Sequence, residues 1–359
     1  MSMLTRAAAA FLCLTFLAWP PLLASVPPPA KDTEFQEEID VRISTIVLRV
    51  VDGRGEPIRG LGPQDFRVRV GKKEVPVVAV DWFAAGEAPP KPPEPSPATE
   101  PTSGEPAAAP APLPAGRLVV FFVQADNNSA VRTRGHLKTL PYVKRLLRAL
   151  DDEDRLAVVS FDSHLKLWQD FVSDRDTTYA AIARAVRFSA TPPVVPLGEP
   201  PSIAQSFDVE KAKDIASPER ALAATAAALR PLGGEKILIF LGWGLGRFGA
   251  GGTTMTPGFT PAIRELARAH TSVFVLDVTD AGAHDLAVGL EAVADATGGT
   301  YAKTVDEPDL AIRELVRTIS GYYVLTLDPD QLPTGIKGDL RVDLRKKRGT
   351  VLVRPAKVR

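Results

Sequence analysis

Cysteine is almost absent. The chain of 359 residues holds one, Cys13, inside the apolar run Ala7–Trp19 near its start. If that run is removed on export, no thiol, disulfide or cysteine-based metal site is left in the mature chain. Histidine is scarce as well. His136, His164, His270 and His284 are dispersed, and none sits at metal-ligand spacing from another. His270 ends a predicted helix and His284 begins one, positions that suit local capping or solvent exposure. An excess of either charge is also missing. Lys and Arg total 43, and so do Asp and Glu. With no basic stripe, nothing points to nucleic acid or another polyanion. After the N-terminal run, no segment is long and apolar enough to cross a bilayer.

What is present begins with that N-terminal run. Arg6 supplies a positive start, Ala7–Trp19 an apolar stretch, and Ala24-Ser25 small residues for cleavage. This pattern predicts a signal peptide over 1–24 and a periplasmic or extracellular location, with a retained anchor as the alternative. Proline is abundant, 33 residues, and clustered. Ala88–Gly116 is made mostly of Pro, Ala, Glu, Ser and Thr and lacks aromatics. Such a stretch buries too little to offset its ordering entropy, so residues 85–116 are expected to be an extended linker. Apolar residues make up 45% of the chain, enough for one large core and a smaller module.

Two regions have strand periodicity. In Val41–Val51, Val41, Ile43, Thr45 and Val47 alternate with Arg42 and Ser44, and Asp52-Gly53-Arg54-Gly55 marks a turn. Phe66–Val70 and Val75–Val80 flank Gly71-Lys72-Lys73 as a hairpin. Residues 36–84 read as a small β module. Tyr322–Leu327, Asp339–Lys346 and Thr350–Arg354 are further strands, with Arg348-Gly349 turning between the last two. A few exposed strands are marginal alone. Residues 321–357 are therefore expected to pack with the N-terminal module as one β sandwich, two separate appendages being the alternative.

Between them, residues 117–320 alternate strand and helix. Leu118–Val123 and Lys236–Leu241 are almost purely apolar strands. Arg155–Phe161 and Lys166–Phe171 form a hairpin around Asp162-Ser163-His164. A helix closes over Pro141–Leu150, with Val143, Leu146, Leu147 and Leu150 at helical spacing. Ser217-Pro218-Glu219 starts another, with Ser as cap and Pro in the first position. Further helices are expected over Thr177–Val186, Pro261–His270, His284–Thr297 and Pro308–Ser320, and strands over Ser272–Asp277 and Gly299–Ala302. Buried strands alternating with helices predict an α/β domain with a mostly parallel sheet covered on both faces.

Several motifs together carry a family resemblance. They are Gly55, Ile58, Leu61, Asp65-Phe66 and Gly71 in the first module, then Leu118–Val123, then Asp154 to Asp162 (DRLAVVSFD), Ile237–Phe240 and Gly321-Tyr322-Tyr323-Val324-Leu325. In that order and spacing the chain resembles bacterial exported proteins built on the von Willebrand factor A-like domain. The resemblance implies a Rossmann-like sheet with an adhesion-type top face rather than a reaction. It also implies a divalent cation at the strand ends, held by an Asp-x-Ser-x-Ser loop, a middle-loop Thr and an Asp after the fourth strand.

This chain departs from that ligand set. The first loop reads Gln124-Ala125-Asp126-Asn127-Asn128-Ser129-Ala130. If Gln124 holds the first position, its anionic ligand is neutral. If Asp126 does, Asn128 and Ala130 replace the serines, with Ser129 nearby. After Lys236–Leu241, Gly242-Trp243-Gly244 stands where Ser-Asp-Gly is expected, and Trp243 has no oxygen. Ser202 or Ser206 in the middle loop could ligate. Mg²⁺ or Ca²⁺ needs several converging oxygens, so the expectation is a degenerate metal-ion-dependent adhesion site without a cofactor, any residual site resting on Asp126, Asn128 and Ser129. Asp126-Asn127-Asn128 then reads as a loop capping the next helix. Trp243 is either an exposed anchor for a protein partner or a ring packed on a helix.

Other chemistry fits less well. Gly244-Leu245-Gly246-Arg247-Phe248-Gly249 matches Gly-x-Gly-x-x-Gly after a strand, with Asp277 as a distant ribose-binding acid, but no helix is signalled directly after it. Ser160 and Ser129 have no His/Asp framework for nucleophilic catalysis. Asp151-Asp152-Glu153-Asp154 reads as a solvated turn. The sequence thus predicts an exported, non-enzymatic binding or scaffolding protein that meets a protein partner of the envelope or exterior through Asp126, Asn127, Asn128 and Trp243. The alternatives are a nucleotide-dependent enzyme using Gly244–Gly249 and a working Mg²⁺ site at Asp126.

Overall fold

The computed structural model describes residues 45–85, 116–126, 129–192, 194, 201–282, 284–328, 331, 338–346, 348–353 and 357–358. The expected signal segment, residues 86–115 of the expected linker, and Asn127 and Asn128 lie outside the described residues. Among the described residues, no helix is long and apolar enough to cross a membrane.

In chain order the first strands are β1 (Thr45–Val51), β2 (Phe66–Val70), β3 (Lys73–Val75) and β4 (Val77–Ala84). Then come β5 (Leu118–Gln124), α1 (Ala130–Ala149), β6 (Arg155–Phe161), β7 (Leu165–Val172), α2 (Arg175–Val186), α3 (Val209–Lys213) and α4 (Pro218–Leu229). Next are β8 (Lys236–Gly242), β9 (Arg247–Gly249), β10 (Gly252–Thr254), α5 (Phe259–Arg268), β11 (Thr271–Asp277), α6 (Ala287–Thr297), β12 (Tyr301–Lys303) and α7 (Pro308–Thr318). The last strands are β13 (Gly321–Leu327), β14 (Gly338–Leu344), β15 (Thr350–Val353) and β16 (Lys357–Val358).

The central sheet has the order β12-β11-β8-β5-β6-β7, parallel except for β7, which pairs antiparallel with β6. Alternate residues of β5 face opposite sides. Leu118, Val120 and Phe122 enter a core with Leu222 of α4, Leu266 of α5 and Leu290 of α6. Val119, Phe121 and Val123 enter a second core with Leu146 of α1, Ile182 of α2 and Leu315 of α7. The period-two strand geometry explains how an unbroken apolar run serves both layers.

The helix begun at Ser217-Pro218 starts as the sequence signals, the Ser217 hydroxyl accepting from Arg220 N at 3.3 Å. Helix α1 differs from expectation. It runs from Ala130, and Pro141 sits inside it rather than near its start. The bond Pro141 cannot make would go to Leu137 O. Both residues lie on the exposed face of the helix, where water can take that carbonyl. The buried face, with Val143, Leu146 and Leu147, carries the helix through.

The remaining strands form two four-stranded sheets, β15-β1-β13-β4 and β16-β14-β2-β3, around a common core. Tyr323 of β13 packs edge-on against Phe66 of β2 at 5.9 Å between ring centres, and its hydroxyl donates to Ile58 O at 2.8 Å. Full burial of a ring such as Phe66 contributes roughly 1.5–3 kcal/mol. The chain thus pairs β13, from beyond the α/β domain, with β1 and β4 from before it. The expected hairpin of the last long strands is not there: β14 pairs with β2 while β15 pairs with β1 in the facing sheet. Just past β14, Arg345 is held by Asp65 O and Phe66 O. The β sheets attach at the N-terminal end of the central strands. There Arg49 of β1 ion-pairs with Glu235, just before β8, and Arg317 of α7 with Glu56. The opposite, C-terminal end of the strands is left to the loops.

Candidate functional site

From β5 the chain moves one way, to β6, and it later returns on the other side, at β8. The crevice above β5 and β8 is therefore the switch point of the sheet, the place where an open α/β sheet presents a binding site. Gln124, the last residue of β5, is fully buried there. Its Nε2 donates to Gly244 O at 2.7 Å, and its Oε1 accepts from Trp243 N at 3.0 Å and Gly244 N at 3.2 Å. An amide can do both; a carboxylate, an acceptor only, could not answer the Gly244 carbonyl. Glu219, in the first turn of α4, holds the same loop from another side by accepting from Gly246 N at 2.9 Å. Gly246 takes φ +92°, and a Cβ there would stand 2.8 Å from Thr254 O.

Beside this stapled loop lies Asp126. Its carboxylate pairs with Arg132 Nη1 at 2.6 Å, and its carbonyl accepts from the Thr133 hydroxyl at 2.8 Å. The Arg132 guanidinium lies over the Trp243 indole, its Cζ 3.5 Å from the ring centre. Helix α1 is capped by Ser129, which accepts from Arg132 N at 3.5 Å. The expected capping role of the Asp126 side chain is therefore corrected: it neutralises a side chain one turn into the helix. Trp243 corresponds to neither simple expectation. It is half-buried, with its Nε1 enclosed, and arginine covers its face. Arg132 was missed in the sequence. A cation six residues after an acid gives no signal of itself, and the indole is 111 residues further on.

The Gly244–Gly249 loop does not lead into a helix. It enters the β9–β10 hairpin, so no helix N-terminus faces the place where a dinucleotide's phosphates would sit. The hairpin instead raises Phe248, 63% exposed, on the edge where the loops gather. Phe248 pairs with Thr253, whose hydroxyl ties to Asp285 O at 2.7 Å.

The other candidates are tied up structurally. Ser202 is buried and donates to Asp170 Oδ2 at 2.5 Å, while Asp170 Oδ1 accepts from Ile203 N. Ser206 is exposed. Ser160 is buried and accepts from Trp168 Nε1 at 2.7 Å. Asp154 is not a solvated residue but fully buried, chelating Arg117 through Nε at 2.9 Å and Nη2 at 2.5 Å. Asp277, at the end of β11, receives Tyr301 OH and meets His284 Nε2, each at 2.7 Å. Burial pushes its carboxyl up. The bonds from His284, the Thr279 amide and Tyr301 outweigh that and hold its pKa below the ordinary carboxylate value. Burial and the same carboxylate push the Tyr301 hydroxyl far up. His284, expected to cap a helix or face solvent, precedes α6 and is engaged by Asp277 instead.

The described donors at the switch point do not suit a divalent cation. Such an ion needs several anionic or neutral oxygens converging on one point. Gln124 spends its oxygen on two backbone amides, Asp126 faces a guanidinium, and Trp243 brings no oxygen. Among the described residues, no group of three His, Cys, Asp or Glu side chains is arranged to hold a metal.

No family model matches the chain, and no curated protein does. Solved structures give distant likenesses. The conserved hypothetical protein BatB from Bacteroides thetaiotaomicron is 13% identical over 57% of this chain and 98% of its own, with a TM-score of 0.38. The PilB minor pilin from Streptococcus sanguinis is 13% identical over 56% of this chain and 61% of its own, TM-score 0.34. Proximal thread matrix protein 1 from the mussel byssus, with its MIDAS motif occupied by zinc, is 14% identical over 59% of this chain and 48% of its own, TM-score 0.38. Likenesses of this size say nothing of activity. The strand order, the single antiparallel edge strand and the helices on both faces give the α/β part of this chain the Rossmann-like fold that its resemblance to the von Willebrand factor A-like domain implied.

Proposed function

We propose that this chain is an exported, non-enzymatic, adhesion-like binding module. It engages a protein of the cell envelope or exterior through the loops above β5 and β8, and it does so without a metal ion. In this reading residues 1–24 are a signal peptide and 85–116 a spacer. Residues 36–84 and 321–357 form one β module that leaves the opposite end of the α/β domain free. The partner meets Trp243, Asp126 and the neighbouring Asn127 and Asn128, and Phe248 joins them from the hairpin. The observation that carries the reading is the Gln124 amide. By bonding Trp243 N, Gly244 N and Gly244 O it fixes the loop in one shape with no ion required. Preorganisation of this kind reduces the cost of ordering a loop on association. An aromatic on such a rim is a common anchor for a protein partner.

The test is photo-crosslinking from the strand-end loops in envelope extract, comparing the native protein with Phe248→Ser and Trp243→Ala. Phe248 is exposed, so its replacement leaves the fold intact. A crosslinked partner lost from the Phe248→Ser variant is the expected result. Equal recovery by all three proteins overturns the reading, as does a melting temperature raised by NAD or ATP.

A further inference from the structure

We propose that β4 pairs edge to edge with β4 of a second copy of this chain, antiparallel and about a two-fold axis, so that two four-stranded sheets join into one. The surface lies in the β module, and the pairing does not depend on what the strand-end loops above β5 and β8 bind. Strand β4 ends its sheet, in the order β15-β1-β13-β4. On one side it pairs with β13. Among the described residues, no hydrogen bond other than those to β13 reaches Val77–Phe83. In an edge strand every second residue turns its N–H and C=O outward, a template for another extended chain. The devices that normally blunt such an edge are missing here. β4 reads Val77-Val78-Ala79-Val80-Asp81-Trp82-Phe83-Ala84 and holds no Lys, Arg or Pro. Its register against β13 shifts only near its start, and Ala79–Ala84 are regularly paired. The other edges are protected. β3 and β12 have three residues, β15 four and β16 two, and β3 carries Lys73 and Glu74 besides. β7 is long, but Ser202, Ile203 and Ala204 bond to its Asp170.

Side chains and charge select the occupant. Val78 is 61% exposed, and Val80, Trp82 and Phe83 are half-buried. Asp81 is the one charged residue of the strand. A chain that fits this edge must be extended, similarly apolar and itself unpaired on one side, and it must keep any acid clear of Asp81. β4 of a second copy meets each condition. A two-fold axis brings the same patch against itself. A register centred away from Asp81 keeps the two carboxylates from standing directly opposite, where like charges destabilise. The pairing also leaves no unguarded edge behind, because the joined sheet ends in β15 at both sides. It uses only the β module, so each copy keeps its strand-end loops free and the dimer presents two sets of them to one target.

Sedimentation equilibrium of the full chain between roughly 1 µM and 1 mM tests the pairing, a range set by the small contact of a single strand edge. A monomer–dimer equilibrium within that range is expected. Val78→Lys with Asp81→Lys places guard charges on the edge. Both residues are exposed, so this variant should keep the native melting temperature at low concentration. Its dissociation constant should rise by at least roughly tenfold, and by more at low salt than at high. Val209→Lys with Val288→Lys adds cations at exposed sites on α3 and α6 and should leave dimerisation unchanged. Hydrogen exchange locates the contact: protection of amides within Ala79–Phe83 should grow with protein concentration in the native chain and not in the edge variant. A native chain that stays monomeric throughout the range overturns the proposal. So does a dimer that the edge variant leaves intact or that the control loses as readily. Edge amides equally protected at every concentration also overturn it, since another part of the same chain would then cover β4.

Discussion

Gln124 and Gly244 form a reciprocal pair across the top of the sheet: the side-chain amide donates to the glycine carbonyl at 2.7 Å and accepts from the glycine amide at 3.2 Å. The pair joins the ends of β5 and β8, 120 residues apart in sequence. It links the two loops through a neutral group.

Gln124→Glu preserves length and removes one donor. The Gly244 carbonyl is then buried without a partner, which costs about 1–3 kcal/mol. An unpaired carboxylate in the same place adds to that loss. Urea denaturation at neutral pH should show a drop of at least that size. The deficit should shrink in acid, where a protonated Glu can donate to Gly244 O. A variant as stable as the native protein at neutral pH would mean that the pair is not what holds the loop.

Much of the α/β architecture was legible because it depends on local signals. The apolar runs of β5 and β8, the alternation with helices and the Ser217-Pro218 helix start need only neighbouring residues. What the sequence hid were contacts between distant residues. The grip of Gln124 on Gly244, the seat of Arg132 on Trp243 and the bond of His284 to Asp277 leave no periodic trace. The start of α1 was obscured because Pro141 reads as a boundary unless its solvent-facing position is known. The path from β14 to β15 read as a hairpin because a short turn looks alike whether the chain returns to one sheet or crosses to another.

Gly135 tests how closely α1 rides on the sheet. A Cβ at this position would lie 1.5 Å from Val278 O, a backbone atom that cannot move aside. Helix propensity alone favours Ala over Gly by about 1 kcal/mol. The clash should win, making Gly135→Ala destabilising by about 3 kcal/mol or more, or preventing soluble expression. Gly53→Ala, with no atom within 4 Å of the new Cβ, is the matched control and should change the melting temperature little.

The Asp277 cluster predicts a pH dependence of defined sign. Its folded pKa lies below the ordinary value of 3.8. The stabilisation it contributes is therefore complete above that ordinary value and is lost as the pH falls through the lower folded one. Tyr301→Phe removes one bond to the carboxylate and should cost about 1.5–3 kcal/mol at neutral pH. Denaturation curves of the two proteins should converge only as the pH falls through that lower folded value, where Asp277 becomes protonated in both. A cost unchanged in strong acid would show that the tyrosine acts through packing alone.

If Gln124, Arg132 and Trp243 organise the crest of this domain, a divalent ion adds nothing to its stability. Thermal melting of the full chain in millimolar Mg²⁺, millimolar Ca²⁺ and EDTA tests it most directly. A ligand bound only by the folded state at a hundred times its dissociation constant adds about 2.7 kcal/mol, a shift that is easily seen. One melting temperature is expected in all three solutions, for the native protein and for Asp126→Asn alike. A rise in Mg²⁺ or Ca²⁺ that EDTA reverses and Asp126→Asn abolishes would contradict it.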